Sequence, residues 1–177
     1  NMTKKLGLKP KEFVLVTLHR PSSVDERENL ETIFAILRQL ADATTIVFPV
    51  HPRTKKMIQE HGVETNKKMS GNMKLLDPLG YLEFLDLMQQ AQLVLTDSGG
   101  IQEETTYLGI PCLTLRKNTE RPVTVEVGTN QLCDLDEDFI VQRSKEIMNG
   151  NGKTGRIPEL WDGKTAERIA NILSEKL

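Results

Sequence analysis

The sequence predicts an α/β domain built on a doubly wound parallel sheet. Three observations point there. Short β-branched runs alternate with longer segments of helical periodicity, and parallel strands need such crossovers. The run QLVLT reads as a nearly continuous buried strand, the pattern of a sheet covered on both faces. A chain of 177 residues with 38% apolar and 27% charged residues suits one ordinary domain with a real core.

In chain order, EFVLVTL (12–18) is the first strand. DERENLETIFAILRQLA follows as a helix with Leu30, Ile33, Phe34, Leu37 and Leu40 on one face and Asp25 as its expected N-cap. TTIVFPV (44–50) is the second strand, and RTKKMIQEHG is a shorter helix that Gly62 can end in the left-handed conformation. MKLLDPL reads as a strand broken by Pro78, YLEFLDLMQQA as a helix, QLVLT as a strand and GGIQEETTYLG as the next helix. IPCLTL and TNQLC are further strands, EDFIVQRSKEIMNG a helix, NGNGKTG a glycine-rich loop and TAERIANILSEKL a terminal amphipathic helix.

Composition excludes several classes of function. The formal net charge is −2 with both signs interspersed, so no global field favours nucleic acid or an anionic membrane. Cys112 and Cys133 lack CxxC spacing and are expected to be reduced packing thiols. No apolar run approaches the roughly 18–20 residues of a membrane span, and the start lacks a signal-peptide core, so the cytoplasm is the expected address. That start reads as a helix tail entering a linker, as if the chain were the second half of something larger. Metal-ligand spacing, GxxxxGK[ST] and GxSxG are missing, and GxGxxG occurs only within the loop NGNGKTG rather than between a strand and a helix, which argues against zinc, a P-loop, a serine nucleophile and a dinucleotide site of the usual kind.

The unusual residues fall just past strand ends, where ligands of such sheets bind. In TDSGG, Gly99 and Gly100 let backbone N–H groups approach an anion at a helix N-terminus, and Ser98 can add a hydroxyl. The same stretch also suits a plain turn in which Asp97 and Ser98 only cap the helix. Glu103 and Glu104, one turn on, could accept ribose hydroxyls or simply sit in water near the helix dipole. His19 and Arg20 follow the first strand, held out of helix by Pro21, and His51 and Arg53 repeat the pattern after the second. His61 reads as favourable charge at a helix C-terminus. Arg116, Lys117 and Arg121 add positive charge after another strand. Four strand ends would thus deliver donors or cations to one rim, as a diphosphate site requires.

The segments TLHR, FPVHPRT, LTDSGGIQEE, LGIPCLTLR, NTERP and WDGKTAERI, in this order over nearly the whole chain, resemble the non-hydrolysing UDP-N-acetylglucosamine 2-epimerase family. The resemblance implies a Rossmann-like half of a GT-B-type two-domain architecture, with residues 1–177 as the C-terminal UDP-binding domain. It implies that Ser98, Gly99 and Gly100 hold the diphosphate, Glu104 takes the ribose hydroxyls, and Phe84 and the backbone near Leu79 border the uracil. By the same likeness His19, with a catalytic role, and Arg121 are cations near the phosphates, with Arg20, His51 and Arg53 as secondary candidates. The implied reaction inverts C2 of the sugar by elimination and return of UDP, interconverting UDP-GlcNAc and UDP-ManNAc, with no cofactor and no metal. The family's acid and base carboxylates belong to an N-terminal domain absent from this chain, so the chain alone is expected to turn over little or nothing; the full-length protein is expected to be a homodimer. HRPSSVD replaces the HRRENxG form of many members, Val123 stands where many have Glu after TERP, and Leu79–Gly80 replaces a more polar pair. The alternatives are the donor domain of a UDP-sugar glycosyltransferase and a non-catalytic nucleotide-sugar sensor.

Overall fold

A computed structural model describes residues 2–63 and 72–176. Its centre is a parallel six-stranded sheet ordered β3-β2-β1-β4-β5-β6. The strands are β1 (Phe13–Thr17), β2 (Thr45–Pro49), β3 (Met73–Leu76), β4 (Leu93–Thr96), β5 (Cys112–Thr114) and β6 (Asn130–Leu132). Each lies within the run read as a strand from the sequence, and β3 stops before Pro78, which has no N–H for a ladder.

Helices cover both faces. Along β1, Val14 and Val16 point to one side, where Ile33, Phe34, Leu37 and Leu40 of α3 (Arg27–Ala41) and Ile140 and Ile147 of α8 (Glu137–Met148) join them. Phe13 and Leu15 point to the other, against Leu87 and Met88 of α5 (Tyr81–Gln90). That period of two is what a strand between two layers requires. Phe34 is fully buried, and truncating such a side chain to Ala costs about 3–5 kcal/mol.

The helices α4 (Pro52–Glu60), α6 (Gly99–Leu108) and α9 (Thr165–Lys176) also fall where the periodicity places them. Gly62 has φ +60° and Gly109, the C-cap of α6, φ +68°, so both end helices in the left-handed region. Cys112 and Cys133 are free and buried.

Two local expectations need correction. Asp25 does not cap α3: the N-cap is Glu26, without a side-chain bond, because a short helix α2 (Pro21–Val24) precedes α3 and Asp25 closes it. Pro21 keeps Arg20 extended but also starts that helix, a position Pro favours because its missing N–H is an orphan there anyway. Two more short helices, α1 (Met2–Leu6) and α7 (Pro122–Glu126), carry too few residues to show a period. α9 is amphipathic as expected, yet it buries no residue and leaves Ile169, Ile172 and Leu173 about half exposed.

Candidate functional site

The strand order reverses direction between β1 and β4, which pair from Val14 with Leu93 to Thr17 with Thr96. Loops leaving the two strands diverge there and open a crevice at their carboxyl ends. Past β1 come His19 and Arg20, and past β4 come Asp97, Ser98, Gly99 and Gly100.

Asp97 joins the two sides. Its carboxylate is fully buried and accepts the backbone N–H groups of His19 at 3.0 Å and Arg20 at 2.8 Å. The His19 ring nitrogen Nδ1 lies 3.4 Å from the same carboxylate. Asp97 is therefore not a cap of α6, as the turn reading allowed, but a brace across the switch point. Ser98 is the N-cap residue, yet its side chain makes no capping bond, so the hydroxyl is not spent on the helix. The first N–H groups of α6 have no intrahelical acceptor, and with the dipole they form an anion cradle on a helix of 10 residues.

His51, past β2, faces His19 with ring centroids 5.2 Å apart. Its Nδ1 accepts the Arg53 N–H at 3.1 Å and so caps α4. Burial and the neighbouring His19 hold the His51 ring below the usual imidazole range. Arg53 turns away from the crevice and grips Asp25, with Nε 2.8 Å from Oδ1. His61 Nε2 lies 2.7 Å from the Asp25 carbonyl oxygen, a local anchor at the end of α4.

The cations past β5 reach the same rim, but each is paired. Arg116 and Arg20 hold Glu120, both at 2.8 Å. Arg121 Nε is 3.1 Å from Glu103 Oε1, and Lys117 is 3.7 Å from Asp134. The patch is thus a lattice of ion pairs rather than bare positive charge. Glu120 reaches the cradle itself, for a Cβ on Gly99 would stand 3.1 Å from its Oε1. Its own backbone N–H, then Arg116 and Arg20, lower its carboxyl to about 2.

Glu104 differs from Glu103. Its Oε2 is buried with no hydrogen-bond partner, while the side chain of Tyr81, the first residue of α5, lies beside its carboxylate. Burial is the main reason its carboxyl is held above the usual range; Glu103 adds to the rise and Tyr81 opposes it. A desolvated carboxylate oxygen without a partner is costly unless something donates to it. Leu79 and Phe84 flank this end of α5, half-buried against the core beneath. A cavity of about 740 Å³ adjoins the rim on its β5–β6 side, lined by Arg20, Asn29, Arg116, Lys117 and Asn118 among others. Another, of about 570 Å³, lies at the opposite edge beside Lys11, Thr44 and Gln92, away from the strand ends that carry this chemistry.

Among the described residues no helix is long and apolar enough to cross a membrane, and no group of three or more His, Cys, Asp or Glu could hold a metal. Sequence reasoning did not single out Tyr81 or Glu120, and it gave Asp97 only a capping role. A polar residue directly after the buried run of β4 was the available signal for Asp97.

Sheet order and rim together define a Rossmann-like α/β domain of the GT-B kind, with the N-terminal turn of α6 at its switch point. The family model for UDP-N-acetylglucosamine 2-epimerase matches residues 1–174. The UDP-N-acetylglucosamine 2-epimerase of Methanocaldococcus jannaschii is 42% identical over 165 residues, which cover 92% of this chain and 44% of that protein. The UDP-2,3-diacetamido-2,3-dideoxy-D-glucuronate 2-epimerase of Pseudomonas aeruginosa is 35% identical over 179 residues, covering 98% of this chain and 48% of that one. The crystal structure of the M. jannaschii UDP-GlcNAc 2-epimerase in complex with UDP-GlcNAc and UDP superposes with a TM-score of 0.78 at 41% identity, over 92% of this chain and 45% of that one. This chain belongs to the UDP-N-acetylglucosamine 2-epimerase family, and it spans about half the length of the relatives it matches.

Proposed function

We propose that residues 1–177 form the UDP-binding half of a UDP-GlcNAc 2-epimerase, an isomerase that interconverts UDP-GlcNAc and UDP-ManNAc. The observation that carries the reading is the convergence at the switch point. The free N-terminal turn of α6 suits a diphosphate, and the unpartnered Glu104 oxygen on the same helix suits ribose hydroxyls. In this reading Ser98, Gly99 and Gly100 hold the phosphates, and Glu104 the ribose. Leu79 and Phe84 border the base. His19 and Arg121 stand beside the leaving group with Arg20 and His51 behind them, whereas Arg53, held by Asp25, stays outside the site.

The C2 proton of a hexosamine is barely acidic, so its loss must accompany departure of UDP from C1. A base takes the C2 proton, the C1–O bond electrons leave with the diphosphate, and a 1,2-unsaturated sugar remains. Re-addition of UDP with protonation at the opposite face inverts C2. Donors aimed at the departing diphosphate lower the barrier most, each contributing roughly 2.7–4 kcal/mol. His19 is suited to this because Asp97 fixes its backbone and stands beside Nδ1. The proton-transferring carboxylates would come from a second domain facing this rim, and the complete protein would act as a cytoplasmic homodimer.

The test is to incubate the complete gene product with UDP-GlcNAc in D2O without an acceptor. Formation of UDP-ManNAc with deuterium at C2 is the expected result. An inert substrate would favour a glycosyltransferase donor domain or a sensor instead.

A further inference from the structure

Beneath the rim lies a closed ring of hydrogen bonds. The Arg121 N–H donates to the Thr119 hydroxyl oxygen at 2.9 Å, and that hydroxyl donates to Gln102 Oε1 at 2.6 Å. Asn130 Nδ2 donates to the same Gln102 oxygen at 3.0 Å and to the Thr124 hydroxyl oxygen at 3.1 Å. The Thr124 hydroxyl returns to the Arg121 carbonyl at 2.7 Å, which closes the ring on the residue where it began. Two spokes leave it: Gln102 Nε2 donates to the Ser98 carbonyl at 3.2 Å, and Asn130 Oδ1 accepts the Thr114 hydroxyl of β5 at 2.6 Å.

Gln102, Thr124 and Asn130 are fully buried. Packing them there is unfavourable unless every bond is made, and a satisfied network fixes one geometry in return. What it fixes is specific. Arg121 is held by both its N–H and its carbonyl, and the spoke from Gln102 ties it to the residue that opens α6. The Arg121 side chain, by contrast, meets α6 only at the surface, through Glu103.

We infer that Gln102 and Thr119 are positioning residues that set the distance between the α6 anion cradle and Arg121. They need not touch ligand; they act through Ser98 and the Arg121 backbone. The inference rests on the reading of Ser98–Gly100 and Arg121 as phosphate contacts. It also accounts for the glutamine in DSGGIQEE, which occupies the buried face of α6 four residues after Ser98.

The test uses Thr119→Val, nearly isosteric and lacking the hydroxyl, beside Thr119→Ser, which keeps it. UDP affinity is measured by calorimetry well below the melting transition, and uridine affinity by ligand-observed NMR. Thr119→Val should weaken UDP about tenfold, roughly 1.4 kcal/mol, and leave uridine unchanged. Thr119→Ser should bind UDP like the wild type. Thr44→Val, which removes a similar bond to a backbone carbonyl at the far end of the sheet, should change neither. In the background of Arg121→Ala, Thr119→Val should cost less than it does alone, because part of its effect passes through the Arg121 side chain.

Equal loss of UDP and uridine, failure of the serine variant to restore binding, or full additivity with Arg121→Ala would each overturn the inference. Wild-type binding with an unchanged Thr119→Val overturns the inference alone. A wild type that does not bind UDP overturns the site reading and this inference together.

Discussion

Glu104→Gln separates a ligand-binding role from a scaffolding one. In the free protein Oε2 of Glu104 is buried and unpartnered, so the fold gains nothing from charge on that oxygen. With its folded value raised, Glu104 contributes stability that is present below its unfolded pKa and lost as pH rises through the folded one. Near neutral pH the carboxylate therefore weakens the fold, and Glu104→Gln should leave the melting temperature unchanged or raise it. UDP binding should respond in the opposite direction. Two ribose hydroxyls can donate to a carboxylate, whereas an amide accepts one and turns its NH2 against the other. Losing one hydrogen bond to a charged group costs roughly 1.5–3 kcal/mol, which is about 10- to 150-fold in affinity. Calorimetric titration with UDP and with pyrophosphate is the assay, since pyrophosphate has no ribose and should bind the variant as it binds the wild type. Glu60→Ala, on exposed α4 beside Lys56, should alter neither. A lowered melting temperature with UDP affinity intact would refute the reasoning.

Three further outcomes follow from the rim. Gly100→Ala meets nothing within 4 Å in the free protein, so thermal melts should show equal or greater stability, while UDP binding falls about tenfold because the methyl keeps a phosphate from the α6 N–H groups. Asp97→Ala leaves the His19 and Arg20 N–H groups unmatched and should cost about 2–4 kcal/mol in urea unfolding. The depressed Glu120 contributes stability that is present above the usual carboxylate range and lost as pH falls toward about 2. Glu120→Gln should therefore flatten the acid side of a melting-temperature profile, and a profile parallel to the wild type would contradict the ion-pair assignment.

The fold was legible where burial imposes a period. Leu30, Ile33, Phe34, Leu37 and Leu40 mark the inner face of α3 because only one stripe of that helix meets the sheet. The convergence of four loops on one edge was legible too, since parallel strands place all their carboxyl ends together. Short helices were not, because four residues of α2 or five of α7 cannot display a repeat of 3.6. Nor were the partners of the rim cations: Arg20 and Glu120 lie 100 residues apart, and only the folded sheet brings them together. The same limit hid the role of Asp97, whose donors lie just past β1 rather than on its own helix.

The most direct test is the structure of this chain with UDP bound. The account predicts diphosphate oxygens within hydrogen-bond distance of the Gly99 and Gly100 N–H groups, ribose hydroxyls on Glu104, and the base beside Leu79 and Phe84. UDP seated in the cavity of Arg116, Lys117 and Asn118, or at the opposite edge of the sheet, with the α6 N-terminus untouched, would contradict it.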